Sequence, residues 1–331
     1  LDGTENKSNL GANALLAVSL ATTRAQAASE KKPLYEYLSK FNPDFTGTYI
    51  LPIPEMNVMN GGKHANWATD IQEYMLFPVG AFSTTEAIRI NAEVYMQLKK
   101  ILKDHHYAVS VGDEGGYAPA VSSNEEPFQL LTEAIQKAGY QPGKDIFFGI
   151  DPAASEFYED GQYRLNKEGK IVSSDELASF FSLLRSKYPI ISMEDIFAED
   201  DWEAFEKFTA TVGNTLQVVG DDLYVTNTKR LQRGIEHKTT NSILIKLNQI
   251  GTLTETVRAI LLAREHGMTS VVSHRSGETE DPYIADFVVA MGTGQIKTGA
   301  PCRSERTAKY NRLMRIEREL GEKTSYAKFP F

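Results

Sequence analysis

Cysteine is nearly missing from this chain: Cys302 is the only one in 331 residues. An intramolecular disulfide is therefore excluded, a reducing compartment fits, and the thiol reads as a bystander. Long hydrophobic runs are missing too. No apolar stretch approaches the ~18 residues that cross a bilayer, and no charged stretch followed by an apolar one opens the chain as a targeting signal would. The expected location is the cytoplasm. Positive charge is in deficit, with 35 Lys and Arg against 44 Asp and Glu and a net charge of −9. Affinity for phosphate backbones comes mainly from clustered cations, so this balance argues against a nucleic-acid partner. Short repeats, linkers and biased tracts are lacking. What remains is an ordinary globular composition, 41% hydrophobic and 24% charged, long enough for one large domain or two ordinary ones.

From about residue 54 a short apolar β-rich run followed by a helical pattern recurs, the signature of parallel βα construction. Strands are expected at 56–60, 71–79, 107–111, 146–151, 190–194, 216–221, 242–247 and 269–273. Amphipathic stretches at 125–139, 174–187 and 252–267 read as crossover helices. Ser173 with Glu176 and Thr252 with Glu255 have capping-box spacing, and Gly139 and Gly267 stand where helices should stop. Eight strands in roughly 220 residues suit a closed (β/α)₈ TIM-like barrel, an α/β fold, better than an open sheet. No GxGxxG follows a strand, which weakens the dinucleotide-binding open sheet. Residues 1–48 read as one or two helices, ANALLAVSLATTRAQAA and PLYEYLSK, the end of another unit. The barrel is expected over 49–331.

Charge follows the apolar runs. IFFGID ends in Asp151, IISME in Glu194, VVGDD in Asp221 and Asp222, ILIK in Lys246, and VVSHRSGE carries His274 and Arg275. Any one of these is better explained by a strand ending where a polar loop begins. Together they favour one site, because strand C-termini converge on one face of a parallel barrel. Three carboxylates ~5 Å apart would repel by about 3 kcal/mol per pair at an effective dielectric of ~20. A hard divalent cation relieves that, and all-oxygen ligation suits Mg²⁺. Asp195 and Asp222 compete as ligands, since alternation points adjacent side chains to opposite faces.

Lys246 sits inside SILIKLNQI, where an unused lysine is rare. The plain reading is a buried salt bridge to one of those carboxylates. The functional reading is a base, for which its pKa would have to fall about three units, roughly 4 kcal/mol. In VGDEGG, Asp113 and Glu114 occupy a glycine-flanked turn expected to follow a strand, a solvated turn or an acid aimed at a departing hydroxyl. SHRSGETED offers Arg275 and Ser276, and an arginine fork suits phosphate. NGGKHANWATDIQE supplies His64, Gln72 and Glu73; lone histidines are more often structural.

With those residues set out, the chain resembles enolase over nearly its whole length. LDGTENKSNLGANALLAVSLA, NGGKHANWATDIQEYM, VGDEGGYAP, ASEFY, GDDLYVTNTKR, ILIKLNQIGTLTE, SHRSGETED and GQIKTGAPCRSER resemble family segments in the family's order. The resemblance implies a glycolytic lyase that reversibly dehydrates 2-phosphoglycerate to phosphoenolpyruvate. It implies one Mg²⁺ on Asp151, Glu194 and Asp221, and a second ion arriving with substrate. Lys246 is similar to the base that takes the C2 proton and Glu114 to the acid that helps the C3 hydroxyl leave, with Glu73 beside it and His64 also in the catalytic set. His64, Gln72, Glu73, His274, Arg275, Ser276 and Lys297 match substrate-holding positions, with Arg275 and Ser276 on the phosphate and Lys297 toward the carboxylate. Pro152 departs from the small residue usual after a metal ligand. The chain opens at what resembles the last helices of the family's smaller N-terminal capping domain, without its mobile loop, so better Mg²⁺ binding than turnover is expected. A homodimer or higher homo-oligomer is implied. The competing reading is an idle enolase acting as a binding protein at the cell surface or secreted, with plasminogen as partner; another acid-dehydrating member of the superfamily ranks last.

Overall fold

Buried on both faces, the apolar runs become strands that need helices around them, which is the condition a barrel meets. The computed structural model describes residues 2–331, the side chain of His64 excepted. Helices α1 (Ala12–Ser29) and α2 (Leu34–Ser39) and the short strand β1 (Tyr49–Leu51) come first. The barrel then closes in chain order: β2 (Ile53–Asn60), β3 (Glu73–Phe77), β4 (Phe147–Asp151), β8 (Ile190–Glu194), β9 (Gln217–Gly220), β10 (Ser242–Ile245), β11 (Thr269–Ser273) and β12 (Gln295–Lys297), which returns to β2. Between β4 and β8 a small antiparallel sheet is made of β5 (Tyr158–Glu159), β6 (Gln162–Leu165) and β7 (Lys170–Val172).

The helices that wrap the barrel are α3 (Thr84–Asp104), α4 (Glu126–Lys137), α5 (Ser174–Lys187), α6 (Trp202–Val212), α7 (Thr228–His237), α8 (Leu247–Ile250), α9 (Leu253–Glu265), α10 (Tyr283–Met291) and α11 (Ser304–Leu320). Helix α5 starts on the full capping box of Ser173 and Glu176, whereas at α9 Thr252 accepts from the Glu255 amide. Strand β13 (Thr324–Tyr326) pairs in parallel with β1. Residues 2–48 lie against the barrel helices. The Tyr35 amide donates to Asp286 at 3.2 Å, Arg312 grips the same carboxylate at 2.7 and 2.8 Å, and the Leu253 amide donates to Ser19 at 3.0 Å.

Two expectations need correction. Residues 107–111 form no strand; Val111 makes only a single bridge to Tyr117, and the eighth barrel strand is instead β12. Nor is the barrel uniformly parallel, because β3 runs antiparallel to both β2 and β4. The cause is the connection 61–72, which holds no crossover helix and so turns the chain straight back. The reversal puts the first residue of β3, Glu73, beside the last residues of β2 and β4, Asn60 and Asp151.

Period-two alternation fills the interior in layers. Gln217 donates to Ser242, Thr269 and Gln295 at 3.1, 3.0 and 2.8 Å, so the first residues of four strands make a polar floor. Two residues further along, Val219, Leu244 and Val271 form a separate apolar cluster. Two residues beyond those stand Asp221, Lys246 and Ser273. The alternation therefore delivers charge to the barrel mouth only above a sealed core.

Candidate active site

Lys297, the last residue of β12, is 2% exposed, and its ammonium is the centre of the mouth. It reaches Asp151 and Glu194 at 2.9 Å each and Glu73 at 3.1 Å. Those three carboxylates end β4, end β8 and begin β3. Asp221 lies one residue past β9, where it accepts from the Lys246 ammonium and from Gln249 Nε2 at 3.1 Å. Lys246 is the N-cap of α8, its amide donating to Thr226 at 2.9 Å.

The competing acids have other work. Asp195 accepts the backbone amides of Asp221 and Asp222 at 2.9 and 2.8 Å, so its carboxylate shapes the Asp221 turn. Asp222 is half-buried. Even so, carboxylate oxygens of Asp195, Asp221 and Asp222 lie within 4.8 Å of one another, a group that includes Asp221 but neither Asp151 nor Glu194.

So much buried negative charge shifts the titrations. Burial and then the Asp151 charge push Glu194 well above the usual carboxylate range, and burial and then Glu114 do the same to Glu73. Burial also raises Asp195, and it raises Asp222 to about 6. Burial acts on Asp151 as well, but Lys297 outweighs it and holds that carboxyl low. Lys246 departs from expectation. Burial lowers it, but the Asp221 ion pair wins and leaves the amine above its ordinary value. The plain reading of Lys246 as a salt-bridge partner is therefore what the geometry contains, and a base needs Asp221 neutralised first.

The residues bring hard oxygen donors and no thiolate. Glu73 Oε2 is buried without a hydrogen-bond partner. Clustered buried carboxylates with raised pKa values are what a hard divalent cation would relieve, so the donor set fits Mg²⁺.

A cavity of about 190 Å³ opens here, lined by Gln72, Glu73, Glu114, Asp151, Asp221, Lys246, His274, Arg275, Ser276 and Lys297 among others. Glu194, held by Lys297, is not in its wall. Glu114 is 3% exposed and accepts from Asn57 Nδ2 at 3.0 Å, while His274 Nε2 stands 3.6 Å from its other oxygen. Arg275 is exposed and Ser276 half-exposed at the rim. The side chain of His64 lies outside the described residues. Two participants had not been anticipated. Asn57 was signalled by a polar residue inside an apolar β run; Arg306, in contact with His274, had no local signal.

Residues 48–330 match the family model described as the enolase C-terminal TIM barrel domain, and residues 1–38 match that of the enolase N-terminal domain. The chain belongs to the enolase family. Enolase 1 of Methanospirillum hungatei JF-1 is 56% identical over 328 residues, an alignment covering 99% of this chain and 76% of that relative. In this enolase-family chain, several of the segments that resemble the family's reach the cavity: DIQEYM through Gln72 and Glu73, VGDEGG through Glu114, SHRSGE through His274 to Ser276, and GQIKTG through Lys297. The enolase family reaction is that of a lyase, and a barrel mouth with two lysines among carboxylates suits it.

Proposed function

We propose that this enolase-family lyase performs the reversible dehydration of 2-phospho-D-glycerate to phosphoenolpyruvate with Lys246 as base and Glu114 as acid. The carrying observation is that Lys246, one residue past β10, and Glu114, from the turn after residues 107–111, line one cavity together with buried carboxylates. Asp151, Glu194 and Asp221 would hold Mg²⁺, which supplies stabilisation of the negative charge that develops on the substrate, a second ion being expected with substrate.

Lys246 takes the C2 proton as a neutral amine. Burial favours that form and Asp221 opposes it, so neutralising the Asp221 charge frees the base. Proton removal leaves the C2–H electron pair shared between C2 and the adjoining carboxylate; in a second step that pair becomes the C2–C3 double bond as the C3–O bond breaks, and Glu114 gives its proton to the departing hydroxyl, which leaves as water. Asn57 keeps the Glu114 carboxyl oriented. Lys297 faces the substrate carboxylate, Glu73 lies beside it, Gln72, His64 and His274 hold the rest of the substrate, and Arg275 and Ser276 at the rim take the phosphate.

Residues 1–48 are proposed as part of the N-terminal domain and 49–331 as the catalytic unit. A homodimer or higher homo-oligomer in the cytoplasm is the proposed assembly; no helix among the described residues is long and apolar enough to cross a membrane. A surface role with plasminogen as partner is not favoured over turnover at 56% identity to an enolase. The test is the absorbance of phosphoenolpyruvate after 2-phosphoglycerate is added. A Mg²⁺-dependent rise supports the reading, and none at high protein concentration overturns it.

A further inference from the structure

Arg306, near the start of α11, is a charged side chain with no exposure. Burying a guanidinium is costly unless its donors find acceptors. Nη1 reaches His274 Nδ1 at 2.5 Å and the Arg275 carbonyl at 2.6 Å; Nη2 donates to the Ser276 carbonyl at 2.6 Å and the Asp113 carbonyl at 3.1 Å. Three of these acceptors belong to the loop after β11, and the fourth to the turn that carries Glu114. One helical turn on, the buried Lys309 donates to the Thr279 carbonyl and Tyr310 to the Gly299 carbonyl at 2.5 Å. Gly299, at φ +80°, leaves the room: a Cβ there would stand 2.9 Å from Arg306 Cδ and 2.7 Å from the Glu114 carbonyl oxygen. The first turns of α11 thus clasp the acid turn and the phosphate-side loop together.

The contact with His274 has a chemical consequence. A guanidinium only donates, so Nδ1 must accept, and the imidazole is then neutral with its proton on Nε2. Burial and then the Arg306 charge hold the His274 pKa well below its ordinary value, consistent with that form. Nε2 is buried and has no hydrogen-bond partner. We infer that Arg306 is a positioning residue: it fixes His274 as the Nε2–H tautomer, so that a donor faces the cavity beside Glu114, and it sets the spacing of the acid turn from the phosphate-side loop. The inference rests on the proposed role of Glu114 as the acid.

The test reads the tautomer directly, by long-range proton–nitrogen correlation NMR of the full chain labelled with ¹⁵N-histidine, the His274 signal being identified by its loss in His274→Gln. The expected result is a neutral ring protonated on Nε2 between about pH 6 and 8. A proton on Nδ1 in the unsubstituted chain overturns the inference, whether or not any variant folds. In Arg306→Lys one ammonium cannot bridge both loops; mixed tautomers and a kcat lower by about 10- to 100-fold, with Mg²⁺ affinity unchanged by calorimetry, are expected. Unaltered kcat and tautomer in that variant would also overturn it. The tautomer needs no turnover to be seen, so a failure of the catalytic reading shows separately, as a lack of phosphoenolpyruvate formation by the unsubstituted chain.

Discussion

Glu55 is a carboxyl placed where charge is least welcome. It is 2% exposed inside the barrel and accepts one hydrogen bond, from Gln295 Nε2 at 2.7 Å. Burial raises its pKa to about 8 against the opposing pull of Lys297 and Gln295. The folded chain therefore binds this proton more tightly than the unfolded one, whose glutamate titrates near ~4.3. The resulting stability is complete below that pH and is lost as pH rises through about 8, on the order of 5 kcal/mol in all. Glu55→Gln keeps the shape and removes the titration. Its urea midpoint should gain steadily on that of the parent between about pH 5 and pH 9; midpoints that run parallel would contradict the assignment. At the same scale, the acidic residues of the mouth were legible because charge after an apolar run is conspicuous. Whether Asp221 or Asp222 faces inward was not, because it depends on barrel register, which places Gln217 and Val219 in the interior below Asp221.

Strands show what a local pattern holds and what it omits. The runs ending in Asp151, Glu194 and Ser273 were readable as short apolar β-rich stretches, and their limits fall close to the expected ones. Strand β12 is three residues, QIK, with one apolar side chain, too little for periodicity to register. The segment 107–111 looked like a strand, but it follows α3 and meets no partner ladder, and strand propensity without a neighbour is not a strand. The small sheet did carry a signal: Asp160 and Gly161 both adopt positive φ, 51° and 81°, as the two central residues of a primed hairpin turn require. The glycine of β4 is closely packed. A Cβ on Gly149 would stand 2.2 Å from the Phe77 ring of the adjacent β3. Gly149→Ala should therefore lower stability by about 1–3 kcal/mol through overpacking, read as a fall in the urea midpoint. An unchanged midpoint would mean that the ring has room to move.

The whole molecule is a device for assembling groups that are remote along the chain. Asp151, Glu194, Asp221, Lys246 and Lys297 span almost half of the sequence, yet closing one barrel brings them to one mouth above an apolar layer. That convergence follows from topology and so was expected; the reversed β3 that adds Glu73, and the buried Arg306 that ties α11 to the acid turn, follow from tertiary packing and were not. Labour is divided across the cavity, with proton removal at Lys246 and hydroxyl departure at Glu114. Proton NMR of 2-phosphoglycerate in deuterium oxide with Mg²⁺ separates the two steps. Glu114→Gln should still exchange the C2 hydrogen for deuterium while forming little phosphoenolpyruvate, and Lys246→Ala should do neither. Exchange by Lys246→Ala at the rate of the unsubstituted chain would show that Lys246 is not the base.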